Sequence, residues 1–138
     1  MGLDCSHGAF HGAYSAFNRF RAAVCRAVGG SWPPHQVGAE IEGEPCTNQG
    51  RWYVPEAVTR EVWPGLYLFL CHEDCEGSLT PEECRLVADD LEKLLPELHK
   101  MGADVGHLAR VGGPDGAARL FIAGCRAAHS RNEPLEFA

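Results

Sequence analysis

The sequence has no long apolar run and relatively little positive charge. No apolar stretch approaches the roughly 20 residues that a membrane-spanning helix needs, so we expect no transmembrane segment. Twelve basic residues stand against nineteen acidic ones, which gives a formal net charge of −7. Because such a field repels DNA, RNA and anionic membranes, we do not expect nucleic-acid polymers or membranes as partners.

Lysine is the scarcer of the two cationic residue types, since ten of the twelve basic residues are Arg. Arg recognises carboxylates and phosphates in a planar, bidentate manner, so a small anionic ligand is compatible with the acidic balance. A hydrophobic fraction of 45% and three Trp argue against disorder. At 138 residues the chain is predicted to form a single domain, 1–138.

The seven cysteines are an odd number, and no apolar secretory segment follows Met1. These features predict free thiols in a reducing, cytoplasmic environment. Cys25, Cys84 and Cys125 fall on apolar helical faces and are expected in the core.

The hydrophobic periodicity predicts an α+β fold in one compact domain, with about three helices packed on a small sheet. The first helix is predicted over Ala13 to Val28, and a third over about Asp115 to His129. Between them, 51–58 and 66–71 read as buried strands, separated by a turn at Trp63-Pro64-Gly65.

The second helix carries the clearest start signal in the sequence. Thr80 is predicted as its N-cap, Pro81 as its first residue and Glu83 as the capping-box acid, while Pro96 should kink or end it. The apolar tail residues Leu135 and Phe137 are expected to dock on the body.

A dense group of polar residues lies between the predicted strand 66–71 and this helix. A metal site is one hypothesis, because Cys71 and Cys75 have zinc-ligand spacing and could be joined by His72 and Asp74, with His7 and His11 from a separate segment. The sequence has no second pair of cysteines at this spacing. The preferred interpretation is therefore that Cys71 ends a strand and that Asp74 and Glu76 cap turns and the helix N-terminus. We therefore expect neither a metal nor another cofactor.

Catalysis is a second hypothesis for the same residues. His72 or His11 could act as a general acid–base on a phosphoester, with Asp74 as a partner. Cys75 is a weaker nucleophile candidate, because the neighbouring acids raise the pKa of a thiol.

A recognition site is the third hypothesis. Gly8 and Gly12 would allow close approach of a ligand to the backbone, and the nearby helix N-terminus offers N–H groups to an anion. The alternative places the aromatic residues of this segment in the core. The first helix has an apolar stripe that includes Phe17, Phe20 and Val24. By helical period Arg19 leaves this stripe and could reach a ligand, whereas Arg21 should run along the body. The expected ligand-binding residues are His11, Tyr14, Ser15, Asn18, Arg19, His72, Asp74 and Glu76.

Separated blocks of the sequence resemble small uncharacterised proteins of bacteriophages and prophages, many from actinobacterial hosts. The blocks are Gly2-Leu3-Asp4, the run from Tyr14 to Arg21, the run from His72 to Gly77, and the ending from Asn132 to Phe137. The resemblance as a whole extends over about half of the chain. In that family the loop often reads serine-aspartate-cysteine-aspartate/glutamate-glycine, and this chain has Glu73 at the serine position.

The resemblance implies a phage protein that acts in the cytoplasm of an infected bacterium. By analogy with phage sponges, we expect it to sequester a small nucleotide-like ligand, such as a signal of host immunity, either alone or as a homo-oligomer. A phosphodiesterase-type hydrolase using His72, His11 and Asp74 is the alternative. A protein–protein inhibitor acting through a patch around 31–53 is the third hypothesis.

Overall fold

The computed structural model describes residues 2–29, 58–72, 77–101 and 108–138. Within these ranges it contains four α-helices and four β-strands, so the α+β prediction is confirmed with one helix more than expected. The helices are α1 (Tyr14–Ala27), α2 (Pro64–Cys71), α3 (Pro81–Lys100) and α4 (Gly113–Ser130). The strands are β1 (Gly2–Cys5), β2 (Phe10–Ala13), β3 (Gly77–Leu79) and β4 (Leu135–Phe137), and 3₁₀ turns span Ser6–Gly8 and Ala109–Val111.

The four strands form one antiparallel sheet in the order β2-β1-β4-β3. The register places Cys5 opposite Phe10 on one side and Phe137 on the other. The C-terminal strand thus lies between two strands from the rest of the chain, with Leu135 and Phe137 buried. The prediction that the tail docks on the body is confirmed.

An aromatic cluster fills the centre of the core. Phe17 and Phe20 of α1 contact Phe69 of α2 and Phe121 of α4, with ring centroids 5.1 to 6.3 Å apart. Most of these ring pairs meet edge to face, an arrangement favoured by the ring quadrupole. The predicted apolar stripe of the first helix therefore faces the core.

The prediction of a buried strand over 66–71 is wrong, because this segment is helix α2. A short run that is apolar on every face has no periodicity, so it fits a buried helix as well as a strand. Pro64, expected in a turn, instead occupies the first turn of the helix, where its missing N–H costs nothing. Of the other predicted strand, 51–57 lies outside the described residues and Val58 is in no strand.

Asp90 of α3 and Gly65 of α2 set how the two helices pack together. The backbone N–H groups of Gly65 and Leu66 donate to Asp90 Oδ2 at 2.7 and 3.1 Å, so a buried carboxylate of α3 caps the start of α2. A Cβ atom on Gly65 would lie only 2.0 Å from the carbonyl oxygen of Leu86. The two helices therefore approach more closely than any residue with a side chain would allow.

Helix α3 begins as predicted. Thr80 Oγ1 accepts from the N–H of Glu83, and Glu83 Oε1 accepts from the N–H of Thr80. The helix does not end at Pro96 but continues to Lys100. Leu94 and Leu98 are buried on either side of Pro96, and their packing outweighs the hydrogen bond that a proline removes.

None of the helices among the described residues is long and apolar enough to cross a membrane.

Candidate functional site

A groove with a cavity volume of about 470 Å³ lies between α2 and the start of α3, beside β3. We call it the α2–α3 groove. Its apolar walls come from Pro64, Leu68, Leu79 and Leu86. Its polar groups come from Arg60, Tyr67, His72, Ser78 and Glu83. A volume of this size and a few polar groups among apolar walls are typical of small-molecule sites.

Arg60 and Tyr67 form a pair in the groove. Arg60 Nη2 donates to Tyr67 Oη at 3.2 Å, and its guanidinium carbon lies 4.7 Å from the centroid of the Tyr67 ring. The ring is buried, whereas Arg60 is exposed. The pair therefore offers a planar cation held at one orientation, a geometry that suits bidentate recognition of an anion.

Among the predicted site residues that the structure describes, His72 is the one that lines the groove. It follows the last residue of α2, and its Nε2 donates to the carbonyl oxygen of Ser78 at 3.1 Å. Its ring stacks on Phe137, with centroids 4.0 Å apart and an angle of 24° between the planes. The side chain is thus held between the edge strand β3 and the C-terminal strand β4.

A buried arginine, Arg21, contacts the backbone of His72. Arg21 of α1 is 5% exposed, and its Nη2 donates to the backbone carbonyl of His72. Its guanidinium carbon lies 4.8 Å from the centroid of the Phe17 ring. Because Arg21 lies one helical turn after Phe17, the period that marks the stripe also places Arg21 on the buried face.

Glu83 brings negative charge to the groove, but its carboxylate is already engaged. Its Oε1 accepts from the N–H of Thr80 at 2.8 Å as part of the capping box. In the same capping box the N–H of Glu83 donates to Thr80 Oγ1 at 3.1 Å. The start of α3 is therefore satisfied by its own side chains, and Arg60 is the fixed cation among the groove residues.

His11 lies at the other end of the sheet, in β2. It lines a smaller cavity of about 170 Å³, together with Arg110 and with Ala16 from the first turn of α1. Its Nδ1 lies 3.5 Å from Asp4 Oδ1, and both side chains are well exposed. The structure therefore places the two histidines of the predicted site in different cavities.

The remaining expected residues of α1 line neither cavity. Tyr14 is half-buried against the core. Ser15, Asn18 and Arg19 are exposed on the helix surface.

Asp74 and Glu76, with Glu73 and Cys75, lie outside the described residues, as does the side chain of Cys71. Among the residues that are described, no group of three His, Cys, Asp or Glu could hold a metal ion.

The sequence analysis missed Arg60, Tyr67 and Glu83 as groove residues. The available signal was Pro64, because a helix that starts there places Tyr67 and Leu68 one turn later on the same face. With 66–71 read as a strand, those two side chains would have pointed to opposite faces.

The four described free cysteines are all buried. Burial, and next the neighbouring carboxylate of Asp4, raise the pKa of Cys5 from 9.0 to about 12. Burial also raises the pKa of Cys25 from 9.0 to about 11. Cys125 shares a hydrogen bond with Cys84, and that bond, then burial, raise its pKa. The same hydrogen bond lowers the pKa of Cys84. All four thiols are core residues, as expected for Cys25, Cys84 and Cys125, and the raised pKa values of the other three make those poorly suited to nucleophilic chemistry at neutral pH.

The chain matches no protein-family model, no curated protein and no solved structure at a significant level. The function is therefore inferred from the groove and from the residues around it.

Proposed function

We propose that the protein binds a small nucleotide-like ligand in the α2–α3 groove and does not chemically change it. The observation that supports this best is the combination of volume and lining: about 470 Å³, leucine walls, and an arginine and a glutamate in one cavity. A planar base can lie against apolar walls while its polar substituents reach the rim.

The charges in the groove match the two ends of such a ligand. Arg60 can bind a phosphate or another anionic group with two parallel hydrogen bonds. The second carboxylate oxygen of Glu83 can accept from an exocyclic amine or a ribose hydroxyl while Oε1 keeps its bond to Thr80. A ligand that carries both an anion and hydrogen-bond donors satisfies both residues.

The hydrolase alternative receives less support from the geometry. It requires two acid–base groups at one phosphoester, and His72 and His11 line different cavities. The proposal that binding sequesters a nucleotide signal in a phage-infected cell is supported by the sequence resemblance alone. The patch proposed for a protein inhibitor, 31–53, lies outside the described residues.

A depletion experiment tests the proposal. The full chain is incubated with an equimolar mixture of linear and cyclic nucleotides, removed by ultrafiltration, and heat-denatured to release what it bound. We expect the wild type to deplete one or a few nucleotides and to return them with unchanged masses. Loss of one charge-assisted contact is worth about 1.5–3 kcal/mol, so Arg60→Ala should weaken binding roughly 10- to 100-fold.

Arg131→Ala is the matched control, because Arg131 is exposed at the end of α4 and does not line the groove. It should deplete the mixture as the wild type does. No depletion by the wild type, or equal depletion by Arg60→Ala, would contradict the proposed site. Recovery of nucleotides with altered masses would instead support the hydrolase.

A further inference from the structure

A chain of hydrogen bonds among three side chains joins the Ser6–Gly8 turn to the segment before β4. Ser6 Oγ lies 2.9 Å from His7 Nδ1, and His7 Nε2 lies 2.9 Å from Glu133 Oε1. Serine, histidine and a carboxylate are the residue types of a nucleophile, its general base and the acid that orients the base. None of the three lines the α2–α3 groove, so this chain is independent of the proposed ligand site.

A third hydrogen bond also reaches the hydroxyl of Ser6. The backbone N–H of Glu136 donates to Ser6 Oγ at 2.9 Å. Because this bond occupies a lone pair of the hydroxyl, the hydroxyl proton can be donated to His7 Nδ1. A neutral histidine that accepts at Nδ1 carries its proton on Nε2, where the Glu133 carboxylate accepts it. The imidazole is therefore held in the tautomer that can take the serine proton.

The backbone at this place is also strained. His7 has φ 60° and ψ 18°, in the left-handed region that residues other than glycine rarely adopt. Such a conformation is strained and persists where surrounding contacts enforce it. Here the two ring hydrogen bonds hold His7, whose side chain is 10% exposed, while Ser6 remains partly exposed to solvent.

We propose that Ser6 is an activated nucleophile that accepts acyl groups from small activated esters. Ser6 Oγ attacks the ester carbonyl carbon and its proton moves to His7 Nδ1. The ester C–O bond then breaks, and the leaving oxygen takes that proton from His7. Water hydrolyses the acyl-serine by the same route, releasing the acid and restoring the Ser6 hydroxyl.

The geometry also sets the substrate class. Because Ser6 lines neither of the two cavities described above, we assign to it esters whose reactivity comes from the leaving group. Phenyl esters of short acids fit this requirement. Compared with the serine protease triad, the two ring nitrogens exchange roles, but each still links the imidazole to one partner.

A fluorophosphonate probe tests the proposal with the full, folded chain. Attack by Ser6 Oγ on phosphorus would release fluoride and leave one adduct, detected by intact mass and located by peptide mapping. We expect labelling at Ser6 in the folded protein, none in the urea-unfolded protein and none in Ser6→Ala. Ser130→Ala is the control, because this exposed serine at the end of α4 should not affect labelling.

Glu133→Gln separates an activating role from a structural one. The amide can still bond to His7 but does not stabilise its charged form, so labelling should slow about 10-fold or more at an unchanged melting temperature. No adduct, or an adduct on another serine, would overturn the proposal. Labelling at the wild-type rate in Glu133→Gln would also overturn the proposal. The contact between His7 and Glu133 would then only hold the C-terminal segment in place.

Discussion

Two histidines lie at opposite edges of the sheet, and their surroundings differ in almost every respect. His72 donates to the Ser78 carbonyl oxygen of β3, stacks on Phe137 and lines the larger cavity. His11, in edge strand β2, is exposed beside Asp4 and lines the smaller one. With strands spaced about 4.8 Å apart, three spacings separate these edges by roughly 14 Å.

The difference teaches where a rigid site can form in this fold. At the β3 edge Ser78 of β3 and Phe137 of β4 contact the imidazole of His72, and Arg21 of α1 donates to its backbone carbonyl, so its position is fixed before a ligand arrives. Preorganised side chains lose less conformational entropy on binding than exposed ones do. The β2 edge offers suitable residue types, but their exposed side chains must be ordered by the ligand itself.

The largest expected effect tests how tightly the β3 edge is built. Gly65→Ala would place a Cβ atom 2.0 Å from the Leu86 carbonyl oxygen, so α2 must move away from α3. We expect a loss of about 3 kcal/mol or more in unfolding free energy, measured by urea denaturation, because the contact is with backbone that cannot rotate away.

Gly12→Ala in β2 is the matched control at the other edge. The nearest atom outside its immediate neighbours would lie 3.6 Å from the new Cβ, an ordinary contact. This variant should change the unfolding free energy by less than about 0.5 kcal/mol. Equal losses at the two positions would show that the β3 edge is no more constrained than the β2 edge.

The sequence predicted those parts of the fold that local signals determine. The apolar stripe of α1, the capping box of α3 and the docking of the apolar tail all appear in the structure. Helix α2 could not be identified in the same way, because its cap is Asp90, which is 24 or 25 residues away and belongs to another helix. A cap contributed by tertiary packing leaves no pattern in the segment that it caps.

The candidate site was only partly predictable for a related reason. His72 was found because it lies in an unusually polar segment, but Arg60 and Tyr67 become neighbours of His72 only once α2 is helical. His11 was grouped with His72 by residue type, and only the strand order shows that they lie apart. Residue chemistry nominates candidates, whereas topology decides which of them meet.

The second effect concerns the strand between the two edges. Burial, and next Asp4, raise the pKa of Cys5 in the folded protein from 9.0 to about 12. The stabilising contribution of the protonated thiol is complete below pH 9 and is lost as the pH rises towards 12, since the unfolded chain ionises first. At pH 10.5 the loss from Cys5 should be about 2 kcal/mol, at about 1.4 kcal/mol per pH unit.

Urea unfolding at pH 8 and pH 10.5 measures this loss, with Cys5→Ala as the comparison. Ionisation of Cys25, whose pKa is raised to about 11, affects both proteins and cancels in the difference. The wild type should therefore lose about 2 kcal/mol more than Cys5→Ala between the two pH values. If both proteins lose the same amount, the centre of the sheet is open to water and its two edges are not separated by a dry core.

The smallest expected effect compares the two histidines directly. His72→Ala removes a ring that closes one end of the groove, whereas His11→Ala removes an exposed side chain from the other cavity. With a nucleotide retained by the wild type as the probe, calorimetry should show weaker binding by about 1–1.5 kcal/mol for His72→Ala, typical of a lost hydrogen bond. The Kd of His11→Ala should be unchanged. The reverse ranking would move the binding site to the β2 edge, which carries His11 of the predicted site. Equal losses would require a ligand that reaches across the roughly 14 Å between the edges.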